Sequence, residues 1–201
     1  MPALLNLLSR FVRMLSLISE TVNTTFGLMS YSMMDLPPLP AQQSQIVLTV
    51  SDMRESILTN LDKRFQSAGI RNHRQYTFDL LKGNTQHAIF NAQYSMIVAD
   101  VPCSGSGTWS RTPEQLYYFD ETKIESYSSL QKSIVSKIIP QLQPGGSFVY
   151  ITCSVFKKEN EDVVEYVKKN FKLKLIKMEL LKGYERKADS MFVALFNGLS
   201  S

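Results

Sequence analysis

The stretch "YSMIVADVPCSGSGTWSRTPE", residues 94–114, decides the fold class. Met96 to Ala99 are apolar at consecutive positions, which is the pattern of a strand covered on both faces. Pro102 then removes a ladder donor and fixes the chain, so the strand ends there. Gly105 and Gly107 follow, and a backbone without Cβ atoms can approach a flat ligand closely. Cys103 lies beyond the apolar run, whereas a packing cysteine belongs inside it. The chain has two cysteines, and the second has the same setting. Cys153 follows "FVYIT" and precedes "SVFKKENED", residues 154–162, so it sits near a helix N-terminus, which lowers a thiol pKa. The competing reading of either cysteine is a small buried hydrophobe.

Outward from this stretch the pattern is regular. "IVLTVSD", residues 46–52, reads as a strand, and 53–70 as a helix with apolar positions at 57, 58, 61 and 65 and a terminating Gly69. "RQYTFDL", residues 74–80, is a second strand and "YSMIVAD" a third. A helix over 122–139 stops at the turn "PQLQPGG", and "SFVYITCS" is a fourth strand. A helix over 157–169 precedes "FKLKLIKM", whose alternating lysines suit an edge strand, and "MFVALFN" closes the pattern. Strand, helix, strand, twice over, predicts parallel crossovers and an α/β sheet. Ligands of such sheets bind beyond the carboxyl ends of the strands. The residues there are Asp52, Asp79, Asp100 to Cys103, and Cys153.

The 201 residues suit one domain, with 46–201 as its body. Residues 1–45 read as an apolar helix followed by the proline-rich linker "DLPPLPAQQSQ". Arg10 and Arg13, with no acid before Glu20, also fit a transit peptide, but these charges interrupt any membrane span. The expected compartment is the cytoplasm, and the expected state a monomer. Lys and Arg number 22 against 18 acids, a net charge of +4 that fits a polyanionic partner. Two cysteines and two histidines without ligand spacing make neither a disulfide scaffold nor a metal site.

Read singly, Asp52 suits either a helix cap or a ribose diol, and Asp79 either a turn or a ligand contact. A phosphatase loop needs a shorter Cys-to-Arg spacing than the seven residues between Cys103 and Arg111. No Gly-Lys-Ser or Gly-Lys-Thr completes a nucleotide P-loop. Arg111, Lys157 and Lys158 flank the two cysteine loops and are candidate phosphate contacts, each equally readable as a solvated charge.

Taken together, "VADVPCSGSGTWSRTPE" and "GGSFVYITCSVFKKENEDVV" resemble the proline-cysteine and threonine-cysteine motifs of the NOP/SUN family of RNA cytosine methyltransferases, the RsmB-like enzymes. The order "SDMRES", "FDL", "DVPCSGSG", "TCSVFKKENE", "ADSMFVALF" agrees with that family over about residues 46–197. The resemblance implies a Rossmann-like class I methyltransferase fold with antiparallel C-terminal strands, S-adenosyl-L-methionine as cofactor and ribosomal or transfer RNA as substrate. It makes Cys153 the nucleophile that adds to carbon 6 of cytosine, and Cys103 the second cysteine, which assists release. Asp100 and Pro102 then contact the cytosine, with Asp100 also lining the cofactor. Asp52 matches the acid on the cofactor's ribose and Asp79 the acid near its adenine.

One departure stands out. The family places a strand and an alanine- and glycine-rich loop before the strand ending at Asp52, whereas Gly27 is the only glycine among the first 45 residues here. The fold is therefore expected to be complete on its nucleobase side and open to question at its N-terminal, methyl-donor side. The leading expectation is methylation of carbon 5 of cytosine in RNA. A chain without the donor site would instead be an RNA-binding remnant of the same fold. A cysteine hydrolase would need a histidine base near a thiol, and neither His73, before a strand, nor His87, in a polar loop, is placed for it.

Overall fold

The structure, a computed structural model, describes residues 48–70, 73–82, 90, 92–184 and 188–199. The expected N-terminal helix, the proline linker, the segment compared with the glycine-rich loop, and His87 lie outside these residues. The chain divides into two compact units, one ending at Asp79 and the other beginning at Leu80.

In the first unit, β1 (Leu48–Asp52) and β2 (His73–Thr77) pair in parallel, Leu48 opposite His73 and Asp52 opposite Thr77. The crossover is α1 (Glu55–Ser67), shorter at both ends than the sequence suggests. It buries Leu58, Leu61 and Phe65, at helical spacing, against Leu48, Val50 and Ile70. Glu55 in its first turn and Arg64 in its last complement the helix dipole. Gly69, at φ 73°, ends it, and the Ile70 amide donates back to the Phe65 carbonyl at 2.8 Å. That bond is the six-to-one closure of a Schellman cap, with Ile70 returning its side chain to the same cluster.

The second unit is a four-stranded mixed sheet with β3 (Tyr94–Asp100), β4 (Leu142–Thr152), β6 (Met191–Gly198) and β5 (Leu173–Leu181) side by side in that order. β3 and β4 are parallel, with Asp100 opposite Ile151, and β6 runs antiparallel to both its neighbours. β5 lies at the edge of this sheet, where its alternating lysines are expected to stand. Between β3 and β4 come α2 (Pro113–Tyr117) and α3 (Thr122–Ile138), and α4 (Glu161–Asn170) follows β4.

The core lies on one face of the sheet. Phe148 and Tyr150 of β4 and Phe192, Ala194 and Phe196 of β6 pack with Ile134 and Val135 of α3 and Val163, Val164 and Val167 of α4. Val149 and Ile151 alternate to the other face and are buried there as well, so β4 is the doubly covered central strand. Burial of each large apolar side chain contributes roughly 1.5–3 kcal/mol, which makes this cluster the main stabiliser of the unit.

Two local expectations are corrected. The turn read in "PQLQPGG" belongs partly to β4, which starts at Leu142 and carries an irregularity opposite Tyr94 and Met96. Gly145, at φ 72°, absorbs it. The segment read as a helix over 157–169 is a 3₁₀ turn, Lys157–Glu159, followed by α4.

Candidate active site

Parallel pairing sets the site. Asp100 and Ile151 are level in the ladder, the Val101 amide continues it to the Ile151 carbonyl at 3.2 Å, and both strands then leave the sheet side by side. Each runs into a cysteine within three residues, so Sγ of Cys103 and Sγ of Cys153 lie 3.2 Å apart, both half-buried. The pair expected at one sheet crevice is therefore in direct contact.

The two thiols are not equivalent. Cys103 is pushed well up by its hydrogen bond to Cys153 and by burial, so it keeps its proton. Cys153 is lowered because the Cys103 S–H donates to its sulfur, against the opposing effects of burial and of the Asp100 charge. Of the two sulfurs, Cys153 is therefore the one biased toward the thiolate, the reactive form.

Polar side chains frame the pair. Glu159, fully buried, accepts the Ser104 amide at 2.8 Å on Oε2 and the Ser154 hydroxyl at 3.0 Å on Oε1. Gln131 of α3 donates to the Pro102 carbonyl at 2.9 Å and to Glu159 at 3.3 Å. Asn160 accepts the Thr152 hydroxyl at 2.6 Å and donates to the Ser154 carbonyl at 2.8 Å, closing the turn that carries Cys153. The Ser106 hydroxyl accepts the Val155 amide at 2.9 Å, a further link between the loops. The sequence singles out none of the framing side chains Glu159, Gln131, Asn160 and Ser106. "ENED" reads there as a polar helix start, and a one-dimensional pattern does not show which acid turns inward.

The glycine expectation is corrected. A Cβ on Gly107 would stand 2.0 Å from the Ser190 carbonyl oxygen and 3.0 Å from that of Cys153. The close approach is thus to the protein's own backbone, where Gly107 donates to Cys153 at 2.8 Å and accepts from the Ser190 amide at 2.9 Å. Gly105, at φ 71°, supplies the left-handed residue that opens the short 3₁₀ turn Ser106–Thr108.

The three candidate cations each have a carboxylate. Arg111 forks onto Asp189 at 2.6 and 2.5 Å, tying the Cys103 loop to the start of β6. Lys157 pairs with Asp162 at 3.3 Å, and Lys158 with Glu125. The two lysine pairs are exposed, where such pairs contribute little.

Asp52 and Asp79 belong to the first unit, Asp52 as the last residue of β1 and Asp79 two residues beyond β2. Asp52 accepts the Arg54 amide at 2.8 Å, and its two oxygens receive Arg54 Nε and Nη2 at 3.1 and 3.2 Å. The capping reading is corrected: Arg54 is the N-cap of α1 and no side chain caps it, so the Asp52 carboxylate is engaged by the paired Arg54 donors instead. His73 Nε2 lies 3.1 Å from Asp62 and its ring meets Phe65, which places it in the small core of this unit. Among the described residues no helix is long and apolar enough to cross a membrane, and no cluster of three ligand side chains could hold a metal.

Comparison with known proteins agrees with this geometry. The chain is 37% identical over 78 residues to the ribosomal RNA small subunit methyltransferase F of Shewanella loihica, covering 39% of this chain and 16% of that protein. It is 30% identical over 128 residues to the same-named protein of Shewanella amazonensis, covering 64% of this chain and 27% of that one. The chain thus spans about a quarter or less of the length of these curated relatives. Among solved structures, a methyltransferase homolog from Pyrococcus horikoshii superimposes with a TM-score of 0.63 at 23% identity, over 76% of this chain and 53% of that one. NSun6 from the same organism, solved with SFG, gives 0.66 at 19% identity, over 77% and 42%. These two establish the Rossmann-like α/β methyltransferase fold. The family model described as 16S rRNA methyltransferase RsmB/F matches residues 37–196, and with the paired cysteine loops inside that span, the chain belongs to the RsmB/F family of rRNA methyltransferases.

Proposed function

We propose that this chain carries S-adenosylmethionine-dependent methylation of carbon 5 of cytosine in RNA, ribosomal RNA being favoured by its relatives' names, through a covalent adduct at Cys153. The observation that supports this most is the 3.2 Å contact between two thiols of opposite character at the ends of adjacent parallel strands. The Cys153 thiolate adds to carbon 6, which makes carbon 5 electron-rich. S-adenosylmethionine supplies the methyl group that carbon 5 takes up. Loss of the carbon 5 proton to a base then expels Cys153, whose sulfur recovers the electron pair of the broken bond. Cys103, still protonated, donates its S–H to the departing sulfur. Asp100, three residues from Cys103, is assigned to contact the cytosine and line the cofactor, with Pro102 fixing the loop against the cytosine. A cytosine in structured RNA must leave its stack to reach the thiols.

The residues present fit the cofactor. Asp52 already receives two donors side by side from an Arg54 side chain that is itself exposed, and a ribose presents two hydroxyls in the same manner. Asp79 is assigned to the adenine. Calorimetry with S-adenosylmethionine, followed by detection of 5-methylcytosine in RNA incubated with the full chain, tests the reading. Binding and product formation are expected, and the Cys153→Ala variant should bind the cofactor yet form no product. Methyl transfer surviving that substitution would remove Cys153 from the mechanism. Absence of cofactor binding by the folded chain would favour a non-catalytic RNA-binding role.

A further inference from the structure

Beside the cysteine loops lies a solvent-open hollow of about 120 Å³ that the mechanism does not use. Its walls include Ser104, Trp109, Tyr118, Phe119, Lys123 and Tyr127. The floor is rigid: the Trp109 and Phe119 rings meet edge to face at 4.7 Å, and both rest on Phe156, at 5.9 and 5.4 Å. Phe156 comes from the Cys153 loop and Ser104 directly follows Cys103, so the hollow is attached to both halves of the thiol pair.

The rim is unusual for a surface. Leu116, Tyr117 and Tyr118 are 58%, 83% and 77% exposed on the short helix α2 and its cap, with the two tyrosine rings perpendicular at 5.1 Å. Consecutive large rings left in water mark a recognition surface. Its lining suits one kind of occupant: aromatic side chains take a planar ring, the Gln115 amide can meet a polar edge, and Lys123 in the same lining supplies a cation for the attached phosphate. The Asp120 carboxylate in the lining is turned to the Thr122 amide and hydroxyl, at 2.9 and 2.7 Å. Lys157 and Lys158, each in an exposed pair with a carboxylate, follow Phe156 on the Cys153 loop. An aromatic slot with a cation at its mouth is the way single-stranded nucleic acid is held. Ser104 is one residue from Cys103, about 3.8 Å between Cα atoms, and a nucleotide advances at least the roughly 3.4 Å it has in a duplex.

We propose that this hollow stacks the unpaired base adjacent to the cytosine in the same RNA strand. Its placement next to the target rests on the reading of the thiol pair as the cytosine site, but base stacking itself requires no catalysis. Trp109 is the chain's single tryptophan, and it forms the floor, so its fluorescence reports occupancy.

The test is titration of the full chain with a nine-nucleotide single-stranded RNA holding one central cytosine flanked by purines, and with the same RNA made abasic beside the cytosine. The intact RNA should quench Trp109. Tyr118→Ala should weaken binding roughly fivefold to a hundredfold, the range of one base–aromatic stack, while Tyr118→Phe stays near wild type. The abasic RNA should cost the wild type a similar factor and cost Tyr118→Ala nothing more. Losses that multiply, binding without quenching, or no binding would each overturn the proposal, and quench-free binding would leave the hollow to a protein partner. Stacking without any 5-methylcytosine formation would retire the methyl-transfer reading and leave this one standing.

Discussion

The buried Glu159 carboxylate joins the two cysteine loops, taking the Ser104 amide at 2.8 Å and the Ser154 hydroxyl at 3.0 Å, each one residue beyond a thiol. Its donors, with Gln131, are all neutral, so the effects of replacing it follow from hydrogen-bond valence. Glu159→Ala takes the acceptor from the part-buried Ser104 amide, at about 1–3 kcal/mol, and leaves Ser154 and Gln131 with their second partners alone. Glu159→Gln keeps an acceptor for Ser104 and turns an N–H toward Ser154, whose hydroxyl accepts as well as donates, so its loss should stay below about 1.5 kcal/mol. Thermal unfolding of both variants checks the ranking, and equal losses would refute the bridging role.

The unequal thiols give a pH signature. Donation from Cys103 stabilises the Cys153 thiolate, so the iodoacetamide rate should reach half-maximum below the 9.0 of an ordinary thiol. Removing the donor in Cys103→Ala makes the thiolate costlier, moving the midpoint to higher pH and slowing alkylation at pH 7. Cys103→Ser, which keeps an O–H, should fall between. A midpoint unchanged in Cys103→Ala would mean that Cys153 owes its reactivity to another group.

The order of bond making and breaking separates the cysteines. With RNA and S-adenosylmethionine, Cys103→Ala should accumulate an RNA–protein adduct that survives denaturing electrophoresis, because the departing sulfur lacks its donor. Cys153→Ala should form none, alone or combined with the first substitution. Normal turnover by Cys103→Ala would reject its part in release.

Gly107 is enclosed by backbone, its absent Cβ falling 2.0 Å from the Ser190 oxygen. Backbone cannot swing aside as a side chain does, so Gly107→Ala should destabilise by about 3 kcal/mol or more. At roughly 2–4 °C per kcal/mol for a chain of this size, the midpoint should fall by about 6–12 °C. Gly105→Ala, with nothing closer than 3.8 Å and only its positive φ to strain, should lose less.

Salt dependence distinguishes Arg111 from the two lysines. Lys157 and Lys158 hold exposed partners, so replacing both by Ala should flatten the logarithmic salt slope of RNA binding by roughly 1.4 to 1.8. Arg111→Ala should change that slope little and lower the unfolding midpoint instead, since it breaks a half-buried fork onto Asp189. The reverse pattern would make Arg111 the phosphate contact.

Strand identities were legible because consecutive apolar residues, as at Met96 to Ala99, and lysine alternation, as at Lys172 to Lys177, are strong one-dimensional signals. The thiol pair was legible for the same reason, as two cysteines at equivalent strand ends become neighbours once the strands pair. The framing groups were not. Glu159 and Gln131 are polar residues whose burial depends on partners 28 to 55 positions away in sequence, and Asn160 is held by the turn from Thr152 to Ser154 that no periodic pattern records. Nor was α2, because five residues are too few for a helical period to show. Gly107 was read as room for a ligand because sequence records that a Cβ is missing, and not what occupies its place.

The direction of β6 carries a consequence for biosynthesis. Because this strand starts where β3 and β4 end, Asp189 and Ser190 arrive beside the cysteine loops and fasten them through Arg111 and Gly107. Both cysteines precede residue 189 in the chain, and their frame closes only when that residue has been delivered. A chain ending short of that point would hold both cysteine loops unfastened, so the thiol pair gains its geometry only when the last strand docks.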